Sequence, residues 1–197
     1  MAALWVFRGV VFSLLVATVL TSDDWKDRNE KIDFRQMLKK SSVIWVLNST
    51  EQGNVKCRKD LITDVNNTHV SFDRYYGEGT GQMQETLSGK LFNWENPDNL
   101  NLPYDAIGVS KPGADPKIEE ELDYLNKENS CAVVKVMNFA TFNEQGMSHV
   151  WRELRVTARL LDRETPAECL KYYKDSVAAS PKSSSRQVYF PDCPRSH

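Results

Sequence analysis

Between Ser42 and Leu161 the chain is built from short runs rich in Val, Ile, Thr and aromatic residues, each closed by turn-forming residues, and that rhythm leaves few folds open. SVIWVLNS, THVSFDRYY, ETLSGKLFNW, SCAVVKV and SHVWRELRVTARLL read as strands, broken by GEGTG, ENPDN, SKPGADP and NEQG. The texture then changes. RETPAECLKYYKDSVAAS places Thr165 as an N-cap, Pro166 at the first helical position and Glu168 in the first turn, so one helix is expected over about residues 165–179. Strands followed by a single helix predict an all-β fold: an eight-stranded antiparallel barrel enclosing a ligand cavity, with the C-terminal helix packed outside. Such a barrel is wide enough for packed side chains or one small ligand.

The N-terminal stretch does not belong to that core. Met1–Leu20 carries one basic residue, Arg8, then the apolar run VVFSLLVATVL, and Thr21-Ser22 offers small residues before the charged DDWKDRNEK. Residues 1–22 are therefore expected to be a removed signal peptide, the other reading being a signal anchor. The mature chain, 23–197, is roughly 175 residues, a usual size for one domain. Loss of Arg8 takes the formal charge from −2 to −3. A lead-in from Asp24 to Lys40, charged with sparse apolar residues, is expected to be helical.

The cysteine count agrees with the expected export. Cys57, Cys131, Cys169 and Cys193 all follow the signal, with no CxxC pair and no Cys/His cluster at zinc-finger spacing, so two disulfides are expected. Four cysteines allow three pairings, and sequence alone does not choose. Two sequons, at Asn48 and Asn66, are candidate glycan acceptors on a secreted protein.

Several function classes are disfavoured. A chain of this charge has no nucleic-acid footprint, and nothing after residue 22 is apolar enough to span a bilayer. Histidine occurs only at 69, 149 and 197, and GxSxG, HExxH and phosphate-loop patterns are missing, so no enzyme and no cofactor is expected. GEGTG reads as a hairpin turn. The run Glu119-Glu120-Glu121 reads as a solvated face.

Two strands bear on a binding site. In SCAVVKV, Ala132, Val134 and Val136 share one face and Cys131, Val133 and Lys135 the other; the first set is assigned inward. In SHVWRELRV, His149, Trp151, Glu153 and Arg155 alternate with Val150, Arg152, Leu154 and Val156. Either the polar face is solvated, or the helix covers Val150, Leu154 and Val156 and turns Trp151, Glu153 and Arg155 inward. In the second case ionised groups in the lumen point to binding, because they are costly there unless paired or met by a ligand.

These residues together resemble the lipocalins of tick saliva, typified by the histamine-binding proteins. The resemblance rests on Asp23, Trp25 and Lys26; Cys131, Val133 and Val134; Glu153 and Leu154; Pro166-Ala167-Glu168-Cys169; and the final cysteine. It implies the pairs Cys57–Cys193 and Cys131–Cys169, and a secreted monomer that sequesters a small host mediator to suppress inflammation and haemostasis. Amine binders of the family carry an acid directly after the cysteine matching Cys131 and a Tyr-Glu-Leu-Trp in the later strand. Here these are Ala132 and Arg152-Glu153-Leu154-Arg155. For a biogenic amine such as histamine or serotonin, the candidate partners are Glu153, with Trp151 and Tyr104 as aromatic walls. For an acidic or neutral lipid (a leukotriene, thromboxane, fatty acid or cholesterol), Arg155 would hold the head group and Val134, Val136 and Trp151 the apolar part. The third reading is a filled barrel whose loops ENPDNLNLPYD and SKPGADPKIEEE contact a host protein.

Overall fold

A computed structural model describes residues 32–141, 149–180 and 184–195. The signal segment 1–22, the motif residues Asp23, Trp25 and Lys26, most of the expected lead-in helix and NEQG lie outside the described residues.

Eight antiparallel strands form an up-and-down barrel: β1 (Val43–Ser49), β2 (Lys59–Val65), β3 (His69–Tyr76), β4 (Met83–Phe92), β5 (Ala106–Ser110), β6 (Ile118–Leu125), β7 (Cys131–Asn138) and β8 (Val150–Thr157). Each pairs with its sequence neighbour, and β8 returns to β1 with Ile44 opposite Thr157, so the wall is closed. A two-residue strand, β9 (Arg186–Gln187), adds to β1 from outside. One end of the barrel, the mouth, carries the connections 50–58, 77–82 and 111–117; the other, the floor, carries 66–68, 93–105 and 126–130.

Three of the eight barrel strands, β2, β5 and β6, were not located from sequence, and SKPGADPKIEEE is not all loop, since its end starts β6. In β2 and β6 the inward positions include Asp60 and Glu120. The alternation that normally marks a half-buried strand is masked where the buried face is itself charged. β5 is short and apolar up to its last residue, Ser110, with no alternation to read.

Alternation along β7 places Ala132, Val134 and Val136 in the lumen with Trp151, while Cys131 and Val133 pack outside with Leu154 and Val156. That outer layer is covered by helix α1 (Ala167–Ala178). Pro166, expected at the first helical position, stands one place earlier as the cap residue with extended ψ, and its fixed φ still opens the helix. Val150, expected beneath the helix, is exposed at the mouth. Cys131 is bonded to Cys169 and Cys57 to Cys193, clipping the helix start to β7 and the tail to the entry of β2. Closing loops of 38 and 136 residues corresponds on the chain-entropy account to about 4 and 5 kcal/mol. Tyr124 of β6 and Tyr172 of α1 stack with centroids 4.8 Å apart.

The lead-in forms a single 3-10 turn, Phe34–Gln36, rather than a longer helix within its described part. Asp33 caps it by accepting from the Arg35 amide at 2.9 Å. The segment crosses the floor, where Phe34 donates its amide to the Tyr104 carbonyl at 2.8 Å and Phe34, Met37 and Leu38 join the lumen core. GEGTG is a turn between β3 and β4. Gly77 sits at φ +102°, and a Cβ there would meet the Gly81 carbonyl at 2.8 Å, which makes glycine the fitting residue.

Candidate functional site

The lumen divides into two halves. Toward the floor it is apolar, with Phe34, Met37, Leu38, Ile44, Leu122 and Leu125 packed together. Toward the mouth it holds a continuous chain of ion pairs built from side chains that alternation turns inward.

Asp60 of β2 grips Arg74 of β3 through two parallel bonds, Nε to Oδ1 and Nη2 to Oδ2, each 2.8 Å. Arg74 Nη2 also reaches Glu120 Oε1 at 2.9 Å. Glu120 Oε2 accepts from Arg155 Nη1 at 2.5 Å, and Arg155 turns its Nε and Nη2 to Glu153 Oε2 at 2.8 and 2.7 Å. The other oxygen of Glu153 accepts from the Trp151 indole at 2.9 Å and from Arg58 Nη1. Arg58 then passes the chain outward, its Nη2 lying 2.7 Å from Glu51 Oε2 at the mouth. Forked guanidinium contacts of this kind are the geometry by which arginine fixes a carboxylate.

Burial sets the electrostatics. Glu153 is 0% exposed and Glu120 2%. Burial alone would raise the Glu120 carboxyl, but Arg155 and Arg74 outweigh it and hold the group down at about 2. Glu153 is pushed the same way: burial opposes ionisation, and Arg155 and Arg58 overcome it. Arg155 and Arg74 are correspondingly raised against their own burial, by Glu120 and Glu153 in one case and by Asp60 and Glu120 in the other. All three lumen carboxylates have arginine partners, while Arg58 Nε is buried without a hydrogen-bond partner.

Where the two halves meet lies a void of about 20 Å³, lined by Asp60, Glu120 and Arg155 on one side and by Phe72, Ile107 and Val134 among the apolar residues on the other. That is room for about one water molecule. Gly89 helps to close the lumen: a Cβ there would come within 2.4 Å of Ile107 Cγ2 and 2.9 Å of Val70 Cγ1.

Of the residues singled out from sequence, Glu153, Trp151, Arg155 and Val134 come together in the lumen. Tyr104 does not join them. It is buried at the floor with Arg35 over its ring, 4.4 Å from the centroid, at the opposite end from Trp151. Asn66 is exposed in the turn after β2, whereas Asn48 is half-buried and its amide faces the Arg186 carbonyl beneath β9. Glu120 corrects the reading of Glu119-Glu120-Glu121 as a solvated face: its neighbours point outward, Glu121 to Lys135 at 2.8 Å, while Glu120 points in. Arg58, Asp60, Arg74 and Glu120 were all missed in sequence. The available signal was a charge at every second position, Arg58 and Asp60, ahead of the apolar Ile62.

No family model matches the sequence, and neither does any curated protein. Among solved structures the chain is similar to the serotonin complex of AM182, with TM-score 0.56 and 13% identity over 83% of this chain and 93% of that one. It is also similar to a deswapped triple mutant of bovine odorant binding protein, with TM-score 0.50 and 11% identity over 80% of this chain and 100% of the other. The closed eight-stranded antiparallel barrel with one C-terminal helix is the lipocalin fold. Within this barrel, the mouth half of the lumen carries a buried chain of ion pairs, while the floor half is apolar.

Proposed function

We propose that the chain is a secreted lipocalin-fold protein that sequesters a small amine mediator, of the histamine or serotonin kind, in its lumen. The observation that carries this reading is Glu153: a buried, ionised carboxylate hydrogen-bonded to an indole inside a closed barrel. Replacing buried ion networks with apolar side chains is often neutral or stabilising, so folding alone gives little reason for so many charges here. An ammonium wants a carboxylate beside an aromatic group, and Glu153 with Trp151 supplies both. The fold shared with AM182, whose structure is a serotonin complex, is compatible with this reading. In the lipid reading Arg155 must release both Glu120 and Glu153 to hold a head group, whereas an ammonium need replace only Arg58 on Glu153. Nothing in the proposed role calls for catalysis.

Calorimetric titration with histamine and serotonin tests the proposal. The protein is expected to give saturable heat that Glu153→Gln weakens at least tenfold, while binding of the fluorescent fatty acid cis-parinaric acid is unchanged by the substitution. The converse pattern would assign the lumen to a lipid.

The void of about 20 Å³ favours a second reading, a filled barrel that engages a protein. Met83, Phe139 and Val150, each at least half exposed at the mouth end, would be its apolar contacts. Folded protein that takes up neither amines nor cis-parinaric acid would support it.

A further inference from the structure

We infer that Arg58 is an internal competitor for the ligand: its guanidinium occupies the cation position on Glu153, and a bound ammonium takes that position while Arg58 turns outward to Glu51. This rests on the lumen being the ligand site.

Charge balance carries the inference. Among the described residues, Arg58, Arg74 and Arg155 face Asp60, Glu120 and Glu153 inside the barrel, three cations against three anions. With Arg58 withdrawn, the interior holds one unmatched negative charge, the complement of a single monocation. Arg74 and Arg155 cannot play this part, because each is held between two lumen carboxylates and its removal would leave both short of a partner. Arg58 differs in three respects. It precedes β2 at the mouth rather than standing within a strand. It already touches an outer carboxylate, Glu51, at 2.7 Å, which would keep it paired after it leaves Glu153. Its Nε is buried without a partner, so its present pose is the least satisfied among the lumen arginines.

The backbone beneath it is fixed. The Arg58 carbonyl accepts from the Val46 amide at 3.1 Å, and the adjoining Cys57 is bonded to Cys193. The change is therefore a side-chain rotation, not a loop opening. It would also vacate space beside Trp151, where the present lumen is packed. Arg58 thus sets selectivity as well as strength, since a ligand must offer a cation able to replace a guanidinium on Glu153; a neutral molecule of the same shape has no means to displace it.

The test is calorimetric titration of the oxidised full chain with histamine near pH 7, comparing wild type, Arg58→Met and Glu51→Gln, with circular dichroism and thermal melts on each. The expected result is at least tenfold tighter binding by Arg58→Met, or its appearance where wild type shows none, and several-fold weaker binding by Glu51→Gln, which takes away the outer resting place. If Arg58→Met does not fold, Glu51→Gln alone decides. Binding by wild type that Arg58→Met leaves equal or weakens would overturn the competitor role and leave the lumen as ligand site. No binding by any folded variant would overturn both.

Discussion

The floor and the mouth of this barrel face the same lumen and are held by different forces. The floor is an apolar cluster in which Phe34, Met37 and Leu38 of the lead-in meet Ile44, Leu122 and Leu125 of the wall. Its stability scales with area removed from water and is tolerant in geometry. The mouth half is a chain of ion pairs from Glu51 to Asp60 in which removal of one member leaves its neighbours charged and buried. The difference teaches that the two halves fail differently: the floor by losing contacts, the mouth by losing charge balance.

The largest effect should come from Arg155→Ala. It leaves Glu120 and Glu153 short of their shared partner, and breaking such a buried pair typically destabilises by about 3–5 kcal/mol. Urea unfolding at pH 7 followed by tryptophan fluorescence would measure it, and a loss under 1 kcal/mol would mean that solvent or neighbours screen the network. Acid gives the next effect. Glu120 is held at about 2 in the fold, against an ordinary value near 4.3 in an unfolded chain. Its contribution is present above about pH 4.3 and is lost as the pH falls toward 2, on the order of a few kcal/mol. Melting temperature should drop over that window, and Glu120→Gln should flatten the drop; an equal drop in the variant would place the acid-labile group elsewhere. Gly89→Ala should act at the apolar wall. Its methyl meets Ile107 and Val70, an overpacking that costs about 1–3 kcal/mol, with no change in pH profile. A shifted profile would show that the two halves are coupled rather than separate.

Sequence disclosed these halves unequally. The strands β1, β3, β4, β7 and β8 were legible because β-branched and aromatic residues mark them, and the inward set Ala132, Val134 and Val136 followed from alternation. Trp151, Glu153 and Arg155 could be placed on one face but not inside or outside, since that depends on what covers the other face. Helix α1 over Leu154 and Val156 decides it. Glu120 was hidden in an acidic run, because only the register of β6 against β7, Glu120 opposite Val136, separates it from Glu119 and Glu121. Arg58 was hidden for a different reason. Its partner Glu153 lies 95 residues away, and no local pattern encodes a pairing across the seam of a closed barrel.

That seam has a consequence for how the molecule is made. β1 meets β8 only after nearly the whole wall has been synthesised, with Ser49 arriving opposite Glu153. Pairings between ends so far apart in sequence raise contact order and slow folding. Until the seam closes, Glu153 stands on the open edge strand β8 and Arg58 lies on the far side of β1, so the pair cannot yet form. Desolvation of that pair therefore waits on closure of the seam, and a chain whose seam is still open must keep two strand edges from pairing elsewhere.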